Sequence, residues 1–375
     1  MTEKPPKPSD TDIAHMRAAL ALAARGLGRV WPNPAVGCVI VSADGRVVAR
    51  GWTQPGGRPH AETEALRRAG AAAKGATAYV SLEPCSHHGQ TPPCAEALIA
   101  AGIARCVAAI EDPDPRVQGR GLGKLRAAGV AVTLGTLQDE AADLNAGFFT
   151  RVRSGRPLVT LKIASTLDGR IALASGESRW ITGEASRARV HLMRAQHDAV
   201  LVGGATAKTD DPELTVRLPG LEDRRPIRVL LDRDLSLPPT AKLVTSAGSH
   251  PVWILVGPGV AASQGKAYRA AGVDLIEVPL DREGRLDLQA VMAELGRLGL
   301  TRILVEAGGR LATALLAQDL VDRLFWFRSP GIIGGDGHPA AGPLSLAKLT
   351  EMPRFQRIAV EALGEDLLES YKRRS

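Results

Sequence analysis

Short apolar runs rich in β-branched residues recur along the chain, and several of them lead into stretches with helical spacing. In the second half they are "LVTLKIASTLDGRIA", "HDAVLVGGATAKTDDP", "PIRVLLD", "VWILVGP" and "TRILVEAGGRLATALL". Strands that are apolar throughout belong in a sheet covered on both faces, which makes the chain an α/β protein. The first half follows the same style. The spacing predicts a helix over 12–27 with Asp10 or Thr11 as its cap, then a hairpin with Asp44-Gly45 at its turn. A helix from His60 to Ala69, the strand "ATAYVSLE", the helix "CAEALIAAG", the strands "ARCVAAIEDPDP" and "AGVAVTLG", and a helix over 138–152 follow. A length of 375 residues suits two domains. The stretch "RSGRP", Arg153 to Pro157, is the seam that composition suggests.

Charge and aromatic content narrow the partners. Lys and Arg number 47 against 40 Asp and Glu, a net +7, which favours anionic ligands. The basic residues are scattered, and aromatics make up 3% of the chain, so a stacking surface for nucleic-acid bases has little material. Small phosphorylated metabolites fit better. No apolar stretch is long enough to span a bilayer, and "MTEKPPKPSD" lacks the apolar core of a signal peptide, so a cytoplasmic, reducing setting without a membrane partner is expected. There, the four cysteines read as metal ligands, catalytic groups or core residues before they read as disulfides.

Two of those cysteines lie in "EPCSHHGQTPPC", Glu83 to Cys94. Catalytic zinc takes three protein ligands and keeps one position open, and one His with two Cys is an accepted set. Cys85 and Cys94 supply two ligands, and His60 in "PHAETEAL" supplies the third. Zinc lowers the pKa of its water towards 7, and Glu62, two residues after His60, is placed to move the proton to a ring nitrogen and a leaving amine. Both cysteines follow proline near helical stretches, where free N–H groups favour thiolate. His-x-Glu, Pro-Cys and Cys together form the zinc deaminase signature, here with eight residues between the cysteines. A purely structural site, with His87 or His88 replacing His60, is the alternative reading. Cys38 and Cys106 read as small core residues.

"PNPAVG", "HAE" and "EPCSHHGQTPPC" resemble the deaminase domain of the bifunctional riboflavin-biosynthesis deaminase-reductases. That family often has Arg where this chain has Gln90, which bears on one polar contact in the loop. By the resemblance Asn33 lies at the base-binding pocket; read alone, it is a turn residue between prolines.

"LKIASTLDGRIALASGESRWITGEASR" and "VLVGGATAKTDDPELTVR" resemble the reductase domain of the same family. The resemblance therefore spans nearly the whole chain. It implies an α/β chain with a cytidine-deaminase-like zinc domain over 1–147 and a dihydrofolate-reductase-like domain over 148–375. No GxGxxG follows a strand, so a Rossmann reading has no support. Glycine pairs at strand ends, Gly203-Gly204 and Gly308-Gly309, allow a pyrophosphate to approach backbone N–H groups, or are plain tight turns. The resemblance places Ala164, Trp180, Thr206 and Asp210 at the nicotinamide cofactor, NADPH. It places Ser178, Arg194, Leu214, Arg217 and Glu306 at a phosphoribosylaminopyrimidine substrate. Arginine suits a sugar phosphate because its fork makes paired charge-assisted hydrogen bonds, although Arg194 and Arg217 read alone are surface charges. Lys162 stands near the reacting sugar or is a strand lysine with its head in solvent. Arg233, where the family often has a small polar residue, is a candidate partner for the 2'-phosphate of NADPH. Asp168-Gly169 reads as a turn.

The resemblance implies zinc-dependent deamination in the first half and NADPH-dependent reduction of the ribosyl group in the second, and a homo-oligomer is expected. The rivals are an RNA-binding chain with structural zinc and a chain with one decayed site.

Overall fold

The computed structural model describes residues 8–87 and 92–374, so His88 and Gln90 lie outside the described residues. The chain divides into two compact units between Gly155 and Arg156.

The first unit holds a five-stranded sheet in the order β2-β1-β3-β4-β5, built from β1 (Gly37–Val41), β2 (Val47–Trp52), β3 (Thr77–Val80), β4 (Arg105–Ala108) and β5 (Ala131–Leu134). β1 is antiparallel to both neighbours, whereas β3, β4 and β5 are parallel. All five residues of β1 are buried, as its unbroken apolar run demands. Its alternate side chains enter separate cores: Cys38 and Ile40 join Val80, Cys106 and Ala108, while Val39 and Val41 join Met16, Tyr79 and Val107. Each fully buried aliphatic side chain stabilises the fold by roughly 1.5–3 kcal/mol. Cys38 and Cys106 are wholly buried, so both act as core residues.

Two close approaches seat the helices of this unit. A Cβ on Gly37 would lie 1.9 Å from the carbonyl oxygen of Ala19, and one on Gly51 would lie 2.2 Å from that of Ala61. Glycine at these strand positions lets the helices Asp10–Ala24 and Ala61–Ala69 lie directly on β1 and β2. The first helix is capped by Ser9, with Asp12 closing the box reciprocally, rather than by Asp10 or Thr11. The helix expected over 138–152 is two helices, Gln138–Leu144 and Ala146–Ser154. They part at Asn145, whose side-chain amide donates to the carbonyl of Ala35 and accepts from its N–H. Phe148 and Phe149 of the second helix fill the first core, which is why the division falls at 155/156 and not at 147/148. The helix Arg120–Ala127, absent from the sequence reading, buries Gly121, Leu122 and Leu125 along one face.

The second unit holds a nine-stranded sheet in the order β11-β10-β9-β8-β12-β6-β13-β16-β15. Its strands are β6 (Leu158–Ser165), β8 (Ala199–Gly203), β9 (Ile227–Leu231), β10 (Val252–Val256), β11 (Asp274–Glu277), β12 (Arg302–Glu306), β13 (Arg323–Arg328), β15 (Phe355–Leu363) and β16 (Asp366–Arg373). The strands from β11 to β13 are parallel, and β16 and β15 extend the sheet antiparallel. A short pair, β7 (Arg170–Ala172) with β14 (His338–Pro339), stands apart, and Asp168-Gly169 forms the turn before β7. This mixed α/β sheet gives Lys162 and Glu306 adjacent places, because β6 and β12 pair in a register that sets the two residues side by side.

Candidate functional sites

In the first unit His60 is the N-cap of the helix Ala61–Ala69, with extended backbone and no side-chain capping bond, and Glu62 is the second residue of the first turn. Cys94 is the first residue of the helix Cys94–Ala100, and Cys85 lies in the extended loop after β3. The fold brings the three together: His60 Nδ1 and the two Sγ atoms all lie within 4.8 Å of one another. His60 Nδ1 is 3.3 Å from Cys94 Sγ and 3.7 Å from Cys85 Sγ. A tetrahedral zinc with bonds of about 2.3 Å to sulfur and about 2.0 Å to nitrogen separates its ligands by about 3.5–3.8 Å. The donor set and its spacing therefore fit zinc. His87, the other described candidate ligand, is outside this cluster, and its Nδ1 is buried without a hydrogen-bond partner.

The thiols divide their roles differently from a simple helix-dipole expectation. Cys85 Sγ accepts from the Cys94 side chain, from His60 and from the Cys94 backbone N–H at 3.3 Å, which together hold its thiol at about 4. Cys94, the donor to Cys85 and deeply buried, is pushed well above the ordinary range. His60 is raised, first by its hydrogen bond with Cys85. Glu62 is 3% exposed. Burial and then the neighbouring Cys85 charge raise its carboxyl to about 7, where it can both take and release a proton. Asn33 packs against Gly57, three residues before His60, so closely that any side chain at Gly57 would strike its amide.

In the second unit every residue that the sequence pointed to for the reductase lines one cleft of ≈ 1910 Å³. On its floor, Arg194 grips Glu306 through two hydrogen bonds of 2.5 and 2.9 Å. Lys162 stands beside Glu306 on the neighbouring strand. Burial lowers the Lys162 ammonium, with Glu306 opposing. Burial would raise the Glu306 carboxyl, but the Arg194 guanidinium outweighs it and holds it low. The bland readings of Lys162 and Arg194 as solvent-facing charges do not apply, since both are largely buried in this cluster.

The walls are backbone-rich. Leu214, at φ 54°, turns the loop so that Thr215 can accept from Arg194 at 2.9 Å. Arg217, which is exposed, pairs with Glu213. Gly308 lets the loop before the helix Gly309–Ala317 approach Thr206, and a Cβ on Gly309 would lie 2.5 Å from the carbonyl oxygen of Pro339. Ala164 lies on β6, and Asp210 accepts from Arg179 through its carbonyl. Ser178 and Trp180 come from the loop after β7; Trp180 is 70% exposed, with the Arg187 guanidinium 4.7 Å from its ring. Arg233 is exposed at the far wall, bound to the Asp234 carboxylate and to the carbonyl of Gly284 at 2.6 Å.

Sequence reasoning missed several residues that frame these sites. Arg228 is fully buried on β9 and donates to the carbonyls of Glu213, Ser246 and His250, anchoring the loop that leads into Leu214. Asp112, whose N–H donates to Glu83, is lifted to about 7 by burial. Only its place in "EDPDP" hinted at a built turn.

The cytidine and deoxycytidylate deaminase zinc-binding region matches residues 9–110, and the RibD C-terminal domain matches residues 157–368. The riboflavin biosynthesis protein RibD of Escherichia coli (strain K12) is 44% identical over 95% of this chain and 98% of its own length. That of Aquifex aeolicus is 40% identical over 97% of this chain and 99% of its own. Acinetobacter baumannii RibD superposes with a TM-score of 0.87 at 38% identity, covering 97% of this chain and 99% of its own. The deaminase/5-amino-6-(5-phosphoribosylamino)uracil reductase of Thermotoga maritima superposes with a TM-score of 0.85 at 35% identity, covering 97% and 99%. With a metal-fitting His-Cys-Cys cluster in one unit and a charged cleft in the other, this chain belongs to the RibD family of bifunctional riboflavin-biosynthesis deaminase-reductases.

Proposed function

We propose that the two units perform consecutive steps on one phosphoribosylaminopyrimidine. The first removes the 2-amino group of 2,5-diamino-6-(5-phosphoribosylamino)pyrimidin-4(3H)-one as ammonia, with water supplying the oxygen. The second reduces the ribosyl group to ribityl with hydride from NADPH. The observation that carries this reading is the convergence of His60, Cys85 and Cys94 beside a buried Glu62.

His60, Cys85 and Cys94 would hold the zinc, which when bound lowers the pKa of water towards neutrality and acts as a Lewis acid. Glu62, poised at about 7, takes a proton and delivers it to the ring nitrogen and then the departing amine. Asn33 holds the base. In the second unit NADPH carries the hydride, and the protein's task is binding and orientation. Ala164, Trp180, Thr206, Asp210, Gly308 and Gly309 receive the cofactor, with Arg233 at its 2'-phosphate. Ser178, Arg194, Leu214, Arg217 and Glu306 seat the substrate. Ring opening breaks the C1'–O4' bond and leaves an imine that takes hydride at C1' and a proton at nitrogen, and Lys162, beside Glu306, hydrogen-bonds the sugar oxygen released as the ring opens.

The chain is further proposed to work in the cytoplasm as a homo-oligomer, without a nucleic-acid or membrane partner. Among the described residues no helix is long and apolar enough to cross a membrane. β15 ends the large sheet with Ile358 and Val360 exposed, which supports association through that edge. Light scattering giving a multiple of the chain mass supports the oligomer; a monomer at assay concentration contradicts it. Metal content, ammonia release and NADPH oxidation measured on one preparation test the enzymatic reading.

A further inference from the structure

Glu83 opens the ligand-bearing segment and ligates nothing, yet it is 3% exposed. A carboxylate offers two oxygens with about four acceptor sites and no donor. All four are filled by backbone N–H groups from a single distant segment. Oε2 accepts from Asp112 at 3.2 Å and Gly119 at 3.0 Å, and Oε1 accepts from Gly121 at 2.9 Å and Leu122 at 3.2 Å. Glu83 N–H also donates to the Ile110 carbonyl at 2.9 Å. The carboxylate thus gathers the loop after β4 and the start of the helix Arg120–Ala127 around itself.

The same segment touches the residues that follow Glu83. A Cβ on Gly121 would lie 1.9 Å from the carbonyl oxygen of Pro84, so the helix start rests directly on the residue before Cys85. Lys124 of that helix donates to the carbonyl of Ser86 at 3.1 Å, on the other side of Cys85, and also reaches Glu96 of the Cys94 helix at 2.6 Å. Cys85 is in turn joined to that helix, its carbonyl accepting from Ala95 at 3.2 Å and its Sγ from the Cys94 N–H.

We infer that Glu83 is a positioning residue for the metal centre: its four-point grip on segment 112–122 fixes the loop that carries Cys85, and so fixes the spacing of the two sulfur ligands. The inference rests on the reading of His60, Cys85 and Cys94 as metal ligands. Groups that orient metal ligands change metal affinity or activity by about 10- to 100-fold when altered.

The test uses the full chain and two perturbations from opposite sides of the contact. Glu83→Gln turns one acceptor oxygen into an NH2 facing N–H donors. Gly121→Ala keeps the Glu83 carboxylate but pushes on the Pro84 carbonyl oxygen at 1.9 Å and crowds Glu83 Oε1 at 3.2 Å. Gly123→Ala, with open space around its Cβ position, is the control. Zinc affinity is read by competition with a chromophoric chelator, and ligand geometry by the thiolate-to-metal absorption of the cobalt-substituted protein. Both variants should lose about 10- to 100-fold in zinc affinity and weaken or shift the cobalt absorption, Gly123→Ala should match the parent in both readouts, and NADPH oxidation with the deaminated intermediate supplied directly should be unchanged in all three. A folded variant of either kind that keeps zinc affinity within threefold and the parent cobalt spectrum overturns the inference. Should Glu83→Gln fail to fold, Gly121→Ala decides by the same two readouts. A parent chain that binds neither zinc nor cobalt overturns the ligand reading itself, and this inference with it.

Discussion

The two units solve the placement of charged groups in opposite ways. In the first, the reactive groups converge within 4.8 Å, Glu62 is almost wholly buried, and the supporting contacts are close backbone approaches at Gly37, Gly51 and Gly121. In the second, the groups are spread around a cleft of ≈ 1910 Å³, where the Arg194–Glu306–Lys162 cluster is partly buried and the Asp232 carboxylate is buried in the lining. A unit whose own side chains and metal perform the chemistry needs tight geometry at one point. A unit that lends a surface to a reactive cofactor needs area, with fixed charge only where the sugar reacts.

The sharpest way to break this contrast is to remove one group from the tight site. Glu62→Gln should lower ammonia release about 1000-fold while zinc stays bound and NADPH oxidation with the deaminated intermediate supplied directly is unaffected. Deamination retained with zinc bound would show that Glu62 does not move the proton, and zinc lost with the carboxylate would give Glu62 a part in holding the metal instead.

In the cleft the corresponding change is Lys162→Met, expected to lower NADPH oxidation about 100-fold and leave ammonia release intact. Arg194→Ala sharpens the point through pH. Arg194 holds the Glu306 carboxyl low against burial, so without it the carboxyl rises. The acid limb of the reductase pH profile should then move to higher pH; an unmoved limb would detach Glu306 from the reaction.

Stability should respond in the first unit in a manner set by Asp12. Burial raises its carboxyl, but Arg105, Tyr79 and Ser9 outweigh it and lower it from 3.8 to about 2. A folded pKa below the unfolded one stabilises above pH 4 by ~2 kcal/mol, and that contribution fades as pH falls from about 4 to 2. Denaturant melts of Arg105→Met should show a deficit at pH 7 that is part of this amount, since Tyr79 and Ser9 remain, and that shrinks over the same interval. A deficit independent of pH would assign it to lost packing.

The smallest effect concerns Arg233, whose charge is already shared with Asp234. Arg233→Ala should raise the KM for NADPH about fivefold to tenfold and leave that for NADH unchanged, since an exposed ion pair contributes only about 1 kcal/mol. Asp234→Asn should lower the KM for NADPH by releasing the guanidinium. Equal effects on the two cofactors would remove Arg233 from the 2'-phosphate.

The same contrast decides what could be read from the sequence. The candidate metal ligands sit in short contiguous motifs whose chemistry restricts the residue types, so His60, Cys85, Cys94 and Glu62 were legible at once as candidates. The cleft residues come from separate loops and strands, and no local pattern marks them; the resemblance to a family carried them, and the β6–β12 register explains why Lys162 and Glu306 meet. Buried runs such as "GCVIV" announced their strands. The break at Asn145 and the grip of Glu83 on segment 112–122 were not legible, because each depends on a partner 110 or about 30 residues away and on backbone groups that look alike in any sequence.

The most direct test of the central claim is a time course on the parent chain supplied with the diaminopyrimidinone ribosyl phosphate, NADPH and stoichiometric zinc, following ammonia and NADPH together. Ammonia appearing first, with an equal amount of NADPH consumed after it, is the predicted result. NADPH consumed without ammonia, or ammonia released with no later NADPH loss, would contradict the assignment of consecutive steps to the two units.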